Sequence, residues 1–148
     1  MEWRFPVLQP RTFLYPTGSA TLGYAVPAAI GAKIARPDRP VVAVAGDGGF
    51  MYSVNELATA VKYRLPIVFL VVNDERFGAI RWLQHTLFGR AGECDLTNPD
   101  FPALARAFGS RAERVDPAAL GDALRRALAA DGPTVLELPL AIDPPWEF

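Results

Sequence analysis

The chain has 148 residues, 51% of them hydrophobic, and a formal net charge of −1. That length and apolar content suit one folded domain with a sizeable core and exclude a disordered chain, while so small a charge makes no electrostatic case for a nucleic-acid partner. The single cysteine, Cys94, excludes an internal disulfide, and the single histidine, His85, leaves little for a histidine-based zinc site or a histidine-assisted nucleophile.

Residues 1–17 carry Pro6, Pro10 and Pro16 among scattered aromatics without a period. This stretch reads as an extended arm whose Trp3, Phe5, Phe13 and Tyr15 cover apolar surface on this chain or a neighbour. Residues 18–140 read as the folded domain. A first helix is expected from Gly18 to Ala35, entered through a Gly-Ser-Ala-Thr loop, with Pro27 near its start and small residues suited to close packing. Pro37-Asp38-Arg39-Pro40 is a turn.

The apolar β-branched run Val41–Ala45 then stops at Gly46-Asp47-Gly48-Gly49, a segment able to turn tightly and bring bare backbone against a ligand. Val54, Leu57, Ala58, Val61 and Leu65 form a helical stripe. A second buried-strand run, Ile67–Val72, ends in Asn73-Asp74. A right-handed crossover makes the two strands parallel, so both acidic tips reach the carboxyl edge of the sheet, where open α/β sheets bind ligands. Asp47 and Asp74 offer hard oxygens for a divalent cation such as Mg²⁺, which takes one or two carboxylates together with phosphate and water, and the glycines expose backbone N–H groups to a phosphate.

Phe77–Leu87 opens on Phe77-Gly78 and continues Ala79, Ile80, Arg81, Trp82 and Leu83, followed by the polar loop 89–99. Asp100 caps a helix running to Phe108, Ser110–Val115 is a weak strand, and Asp116-Pro117 opens a helix with Leu120, Ala123, Leu124, Ala127 and Leu128 on one face. Thr134–Leu138 is the last strand, and 141–148 is a proline-broken tail. The fold expected is α/β: three layers, a mainly parallel sheet with helices on both faces. The apolar runs are interrupted well short of a membrane span, and with no signal peptide visible a cytoplasmic location is the expectation.

Gly46-Asp47-Gly48 followed by Asn73-Asp74 resembles the thiamine diphosphate signature, GDG followed by NN. Thr21–Ala32 (TLGYAVPAAIGA), Glu56–Val61 (ELATAV) and Phe77–Arg81 (FGAIR) are similar to the diphosphate-binding domain of the acetolactate synthase and benzoylformate decarboxylase group. The resemblance runs from about Pro10 to Leu138. It implies a 2-keto acid decarboxylase or carboligase with thiamine diphosphate and Mg²⁺ as cofactors. Asp47, Asp74 and the main-chain oxygen of Arg76 would hold the metal. Ala20, Thr21, Leu22, Gly46, Gly48, Gly49, Phe77 and Gly78 would line the cofactor, with the Ala20 carbonyl on the aminopyrimidine and Leu22 as the wedge that bends it. Ala79 and Ile80 would face the substrate.

Four positions depart from the family pattern. Ala20 stands where glycine is common, Gly49 where many relatives carry a diphosphate-binding serine, and Asp74 where the signature has its second asparagine. Ile80 stands where pyruvate decarboxylases carry a glutamate, which weakens a simple aldehyde-releasing activity of that type. The glutamate that activates the cofactor in the family belongs to a separate pyrimidine-binding domain, so no residue here is assigned as catalytic; Glu56 reads as structural or as close to the interface with that domain.

The chain alone is therefore expected to be inactive and to associate with a pyrimidine-binding domain or subunit, within a homo-oligomer. The lack of a further strand and helix before Arg11 favours a fragment of a longer polypeptide over a small subunit. The alternatives are a catalytically silent regulatory or interaction subunit of the same fold and, more weakly, another α/β phosphate binder. No Walker-type Gly-Lys-Ser/Thr supports the last.

Overall fold

The computed structural model describes residues 5–141, so Trp3 and the tail Ile142-Asp143-Pro144-Pro145-Trp146-Glu147-Phe148 lie outside the described residues. Four strands, β1 (Val41–Gly46), β2 (Ile67–Asn73), β3 (Arg111–Arg114) and β4 (Thr134–Pro139), form one sheet in the order β1-β2-β4-β3. Every pairing is parallel, and the register sets Gly46 beside Val72 and Asn73 beside Pro139. All four carboxyl ends therefore share one edge, as the crossover rule requires.

Among the described residues six helices connect or flank the strands: α1 (Ala25–Ala35), α2 (Asp47–Met51), α3 (Leu57–Lys62), α4 (Gly78–Phe88), α5 (Phe101–Ala107) and α6 (Leu120–Leu128). One sheet face packs against α1, α2, α3 and α5 through Val26, Phe50, Leu57, Phe69 and Phe101. Phe50 and Phe101 meet edge to face with ring centroids 5.8 Å apart, tying α2 to α5. Among the described residues the opposite face packs against α6 alone, through Val68, Leu70, Ala123 and Leu136. The three-layer reading holds, with unequal layers: Val42, on β1 beyond the reach of α6, stays 43% exposed. Among the described residues no helix is long and apolar enough to cross a membrane.

Three boundaries differ from the sequence expectation. Helix α1 begins at Ala25, not Gly18, because Gly18–Tyr24 is occupied by turns, including the left-handed Ala20 (φ 47°) and Gly23 (φ 80°). The stripe expected at Val54, Leu57, Ala58 and Val61 shifts phase: Leu57 and Ala60 are fully buried and Ala58 is exposed. The cause is a 3₁₀ turn at Val54–Glu56 ahead of α3, in which residues three apart eclipse and the buried line runs 54, 57, 60. Third, the Gly46–Gly49 segment is not a tight turn. Gly46 is extended (φ −69°, ψ 159°) and the helix α2 starts directly at Asp47.

Residues 5–17 form neither helix nor strand, and Phe5 stacks on Phe13 with centroids 5.5 Å apart. The expected turn after α1 is held by Lys33, buried, whose Nζ donates to the carbonyls of Pro37 (3.0 Å) and Arg39 (2.7 Å). Glu56 accepts from Thr59 Oγ1 at 3.1 Å.

Candidate functional site

The site grows from the ends of β1 and β2. Apolar residues fill both strands, so the first polar side chains after each run emerge at the carboxyl edge. At β1 this is Asp47, only 2% exposed. Its Oδ1 accepts from the Gly48 N–H at 2.9 Å and its Oδ2 from Asn98 Nδ2 at 2.6 Å. Beyond β2 stands Asp74, half-buried, whose carboxyl is raised above its ordinary range by burial first and by the charge of Asp47 second. The two carboxylates thus sense each other across neighbouring strand ends.

Glu75 follows in a left-handed conformation (φ 56°), which turns the chain between Asp74 and Arg76 and places a non-glycine residue in a costly backbone region. Arg76 folds its guanidinium back, Nε donating to the Asp74 carbonyl at 3.0 Å. Its backbone bridges Asp95, flanked by bonds from Phe77 N to Cys94 O and from Leu96 N to Glu75 O, each 2.8 Å. These bonds stitch loop 89–99 over the strand ends.

Two glycines make room for this convergence. A Cβ on Gly48 would fall 2.4 Å from Phe77 Cε1, and one on Gly78 would fall 2.9 Å from Asp74 Oδ2. A side chain at Gly78 would crowd the carboxylate itself. Gly49, half-buried, would meet only Leu22 Cδ2, at 3.6 Å, so Leu22 brings the loop before α1 to the start of α2. Leu22 is 46% exposed, and Ala20 and Thr21 stand exposed beside it. Ala79 and Ile80, on the first turn of α4, are exposed; Ile80 does not pack into this chain's core, and α4 buries no residue at all.

Two residues escaped the sequence reading. Asn98, in the aperiodic loop, donates to Asp47 and also to Asn73 Oδ1 at 2.9 Å. Glu137, 1% exposed in the middle of β4, accepts from Asn73 Nδ2 at 2.8 Å and from Arg114 Nε at 2.9 Å. A charge inside the apolar run Thr134–Leu138 was a legible signal for Glu137; loop position left none for Asn98.

Among the described residues no group of three or more His, Cys, Asp or Glu is arranged for a metal. The donor set is two carboxylates just beyond neighbouring strand ends, with glycines at 46, 48, 49 and 78 around them. That fits a hard ion that completes its shell with phosphate and water.

The model of the thiamine pyrophosphate enzyme C-terminal TPP-binding domain matches residues 1–138. The chain belongs to this family. It is 39% identical over 141 residues to an acetolactate synthase of Bacillus subtilis, covering 95% of this chain and 25% of that protein. To a benzoylformate decarboxylase of Pseudomonas aeruginosa it is 36% identical over 138 residues, covering 92% of this chain and 26% of that protein. A solved structure of the thiamine diphosphate-dependent 4-hydroxybenzoylformate decarboxylase of Rhodococcus jostii superposes with a TM-score of 0.79 at 36% identity, covering 84% of this chain and 24% of that one. The chain thus spans about a quarter of the length of these relatives, and it is a domain of thiamine diphosphate enzymes.

Proposed function

We propose that the chain forms the diphosphate and Mg²⁺ half of a thiamine diphosphate site in an enzyme that decarboxylates a 2-keto acid, then releases an aldehyde or joins the remaining fragment to an acceptor. The observation that carries this reading is the parallel register of β1 and β2, which sets Asp47 and Asp74 just beyond adjacent strand ends, beside glycines at which a Cβ would collide with Phe77 or with Asp74 itself. Asp47, Asp74 and the Arg76 carbonyl would hold the ion, and the ion would hold the diphosphate. Bound there, the cofactor supplies the electron sink for loss of the carboxylate.

The chain's own residues supply position and polarity. Gly46–Gly49 present backbone to the diphosphate, with Gly49 leaving that contact to N–H groups where a serine would add a hydroxyl. Ala20, Thr21, Leu22, Phe77 and Gly78 border the cofactor. Ala79 and Ile80 put an apolar, proton-free surface towards the substrate, which favours carboligation or an aryl keto acid over a simple aliphatic decarboxylase. The activating carboxylic acid comes from a pyrimidine-binding domain elsewhere in the assembly, so this chain alone turns over no substrate. Ile80, Leu83 and Leu87, exposed along one side of α4 near the site, support such association within an oligomer.

Calorimetric titration of thiamine diphosphate with Mg²⁺ tests the reading, first on this chain and then with the pyrimidine-binding domain present. Binding that disappears in Asp47→Ala or with chelator is expected. Absence of binding in the assembled protein would overturn it.

A further inference from the structure

The carboxylate of Asp47 is the terminus of an oriented hydrogen-bond relay. It starts at Arg114, whose Nε donates to Glu137 Oε2 at 2.9 Å. An ionised Glu137 only accepts, so Asn73 must present its NH₂ to Oε1, at 2.8 Å. That turns the Asn73 oxygen towards Asn98, which must answer with its own NH₂, at 2.9 Å. The second hydrogen of the same NH₂ goes to Asp47 Oδ2, at 2.6 Å. Each amide therefore has one permitted orientation, imposed by a charge at either end.

The loop carrying Asn98 is anchored independently of the relay. Pro99 biases Asn98 away from helical backbone, and Asp100 caps α5 through the Ala103 N–H at 2.8 Å. With Gly48 N on Oδ1 and Asn98 on Oδ2, both oxygens of Asp47 are engaged and its plane cannot rotate freely.

We infer that Asn98 is a positioning residue for metal choice: it locks the Asp47 carboxylate plane and thereby favours Mg²⁺ over Ca²⁺. Mg²⁺ demands near-ideal octahedral geometry and tolerates a fixed single-oxygen ligand. Ca²⁺ is larger, takes more oxygens and profits from carboxylates that swivel to chelate it. The inference rests on the proposed metal-diphosphate site. It deepens that reading: the bonds of Asn98 go to Asp47 and Asn73, and its effect on the ion is exerted through Asp47.

The test is calorimetric affinity for thiamine diphosphate in the assembled protein, with Mg²⁺ and with Ca²⁺, in wild type, Asn98→Ala and Glu137→Gln. Supporting-residue losses at metal sites run to about tenfold or more in affinity. Asn98→Ala is expected to weaken Mg²⁺-dependent binding by about tenfold and Ca²⁺-dependent binding by clearly less, narrowing the ratio. Glu137→Gln, nearly isosteric, loosens the constraint on the Asn73 amide, whose Oδ1 still accepts from the Glu75 N–H at 3.3 Å, and shifts the ratio in the same direction by a smaller factor. It decides the matter if Asn98→Ala fails to fold. An unchanged ratio, or equal loss with both ions, would overturn the inference while leaving the metal site standing. A wild-type protein that binds cofactor with neither ion would overturn both.

Discussion

Phe77 lies across Gly48 so closely that a Cβ on the glycine would sit 2.4 Å from ring carbon Cε1 and 2.8 Å from Cδ1. The two residues belong to different strand ends, so their contact sets the distance between the segments carrying Asp47 and Asp74. Gly48→Ala is expected to destabilise the protein by roughly 1–3 kcal/mol, the usual cost of overpacking, and to weaken metal-dependent cofactor binding. Phe77→Leu in the same molecule should recover part of the stability. Chemical denaturation of the two singles and the double checks this; additive effects would show that the contact is not the cause.

Asp74→Asn is expected to tighten binding of the Mg²⁺ complex of thiamine diphosphate, because a carboxylate beside a diphosphate repels it. Asp74 is only half-buried, so screening holds the gain below ~1 kcal/mol, roughly a fivefold change in affinity. The metal-free protein should respond with the same sign. A carboxyl raised by burial and by Asp47 keeps its proton better folded than unfolded, so stability falls as pH rises from its unfolded value through its folded one. Asn at this position should flatten that fall and melt higher at neutral pH, as thermal scans across the acid range would show.

Glu137 is a buried carboxylate that belongs to a network, and its neighbours should feel its loss. Glu137→Ala leaves the Asn73 amide short of a partner and opens a cavity, at a cost of about 2–4 kcal/mol. Arg114→Ala should lower the melting temperature further than Arg126→Ala. Arg114 serves a buried acceptor at 2.9 Å, whereas Arg126 pairs at 3.0 Å with Glu113, which is 42% exposed. Equal effects would mean that Glu137 is solvated in solution.

Thr134 makes the opposite case. Its Oγ1 is buried at the start of β4 without a hydrogen-bond partner. Thr134→Val keeps the shape, removes an unpaired hydroxyl and is expected to stabilise by about 1 kcal/mol. A loss of stability in urea titration would reveal a water or partner bound there.

The strands were legible because they are short apolar runs rich in valine and isoleucine, followed by polar tips: Val41–Gly46 and Ile67–Asn73 fall within a residue of expectation. The cap at Asp100 was equally plain, since Asp followed by Pro102 is a local pattern and the bond to Ala103 N is local too. Helix phase was less legible. Three residues of 3₁₀ geometry before α3 moved the buried line from Ala58 to Ala60, and hydropathy alone does not distinguish the two periods.

By itself the sequence determined the family, the parallel βαβ unit and the meeting of two acidic tips at one sheet edge, because these follow from local runs and the handedness of crossovers. Tertiary structure alone decided what holds those tips. The relay from Arg114 through Glu137, Asn73 and Asn98 to Asp47 joins the ends of β3 and β2, the interior of β4, the loop before α5 and the start of α2. The Asn98 and Asp47 side chains meet across 51 positions of sequence, and the Asn73 and Glu137 side chains across 64. Hydrogen bonds between amides and carboxylates have no period and no spacing along the chain. Only the packing of the strands brings their partners within 3 Å.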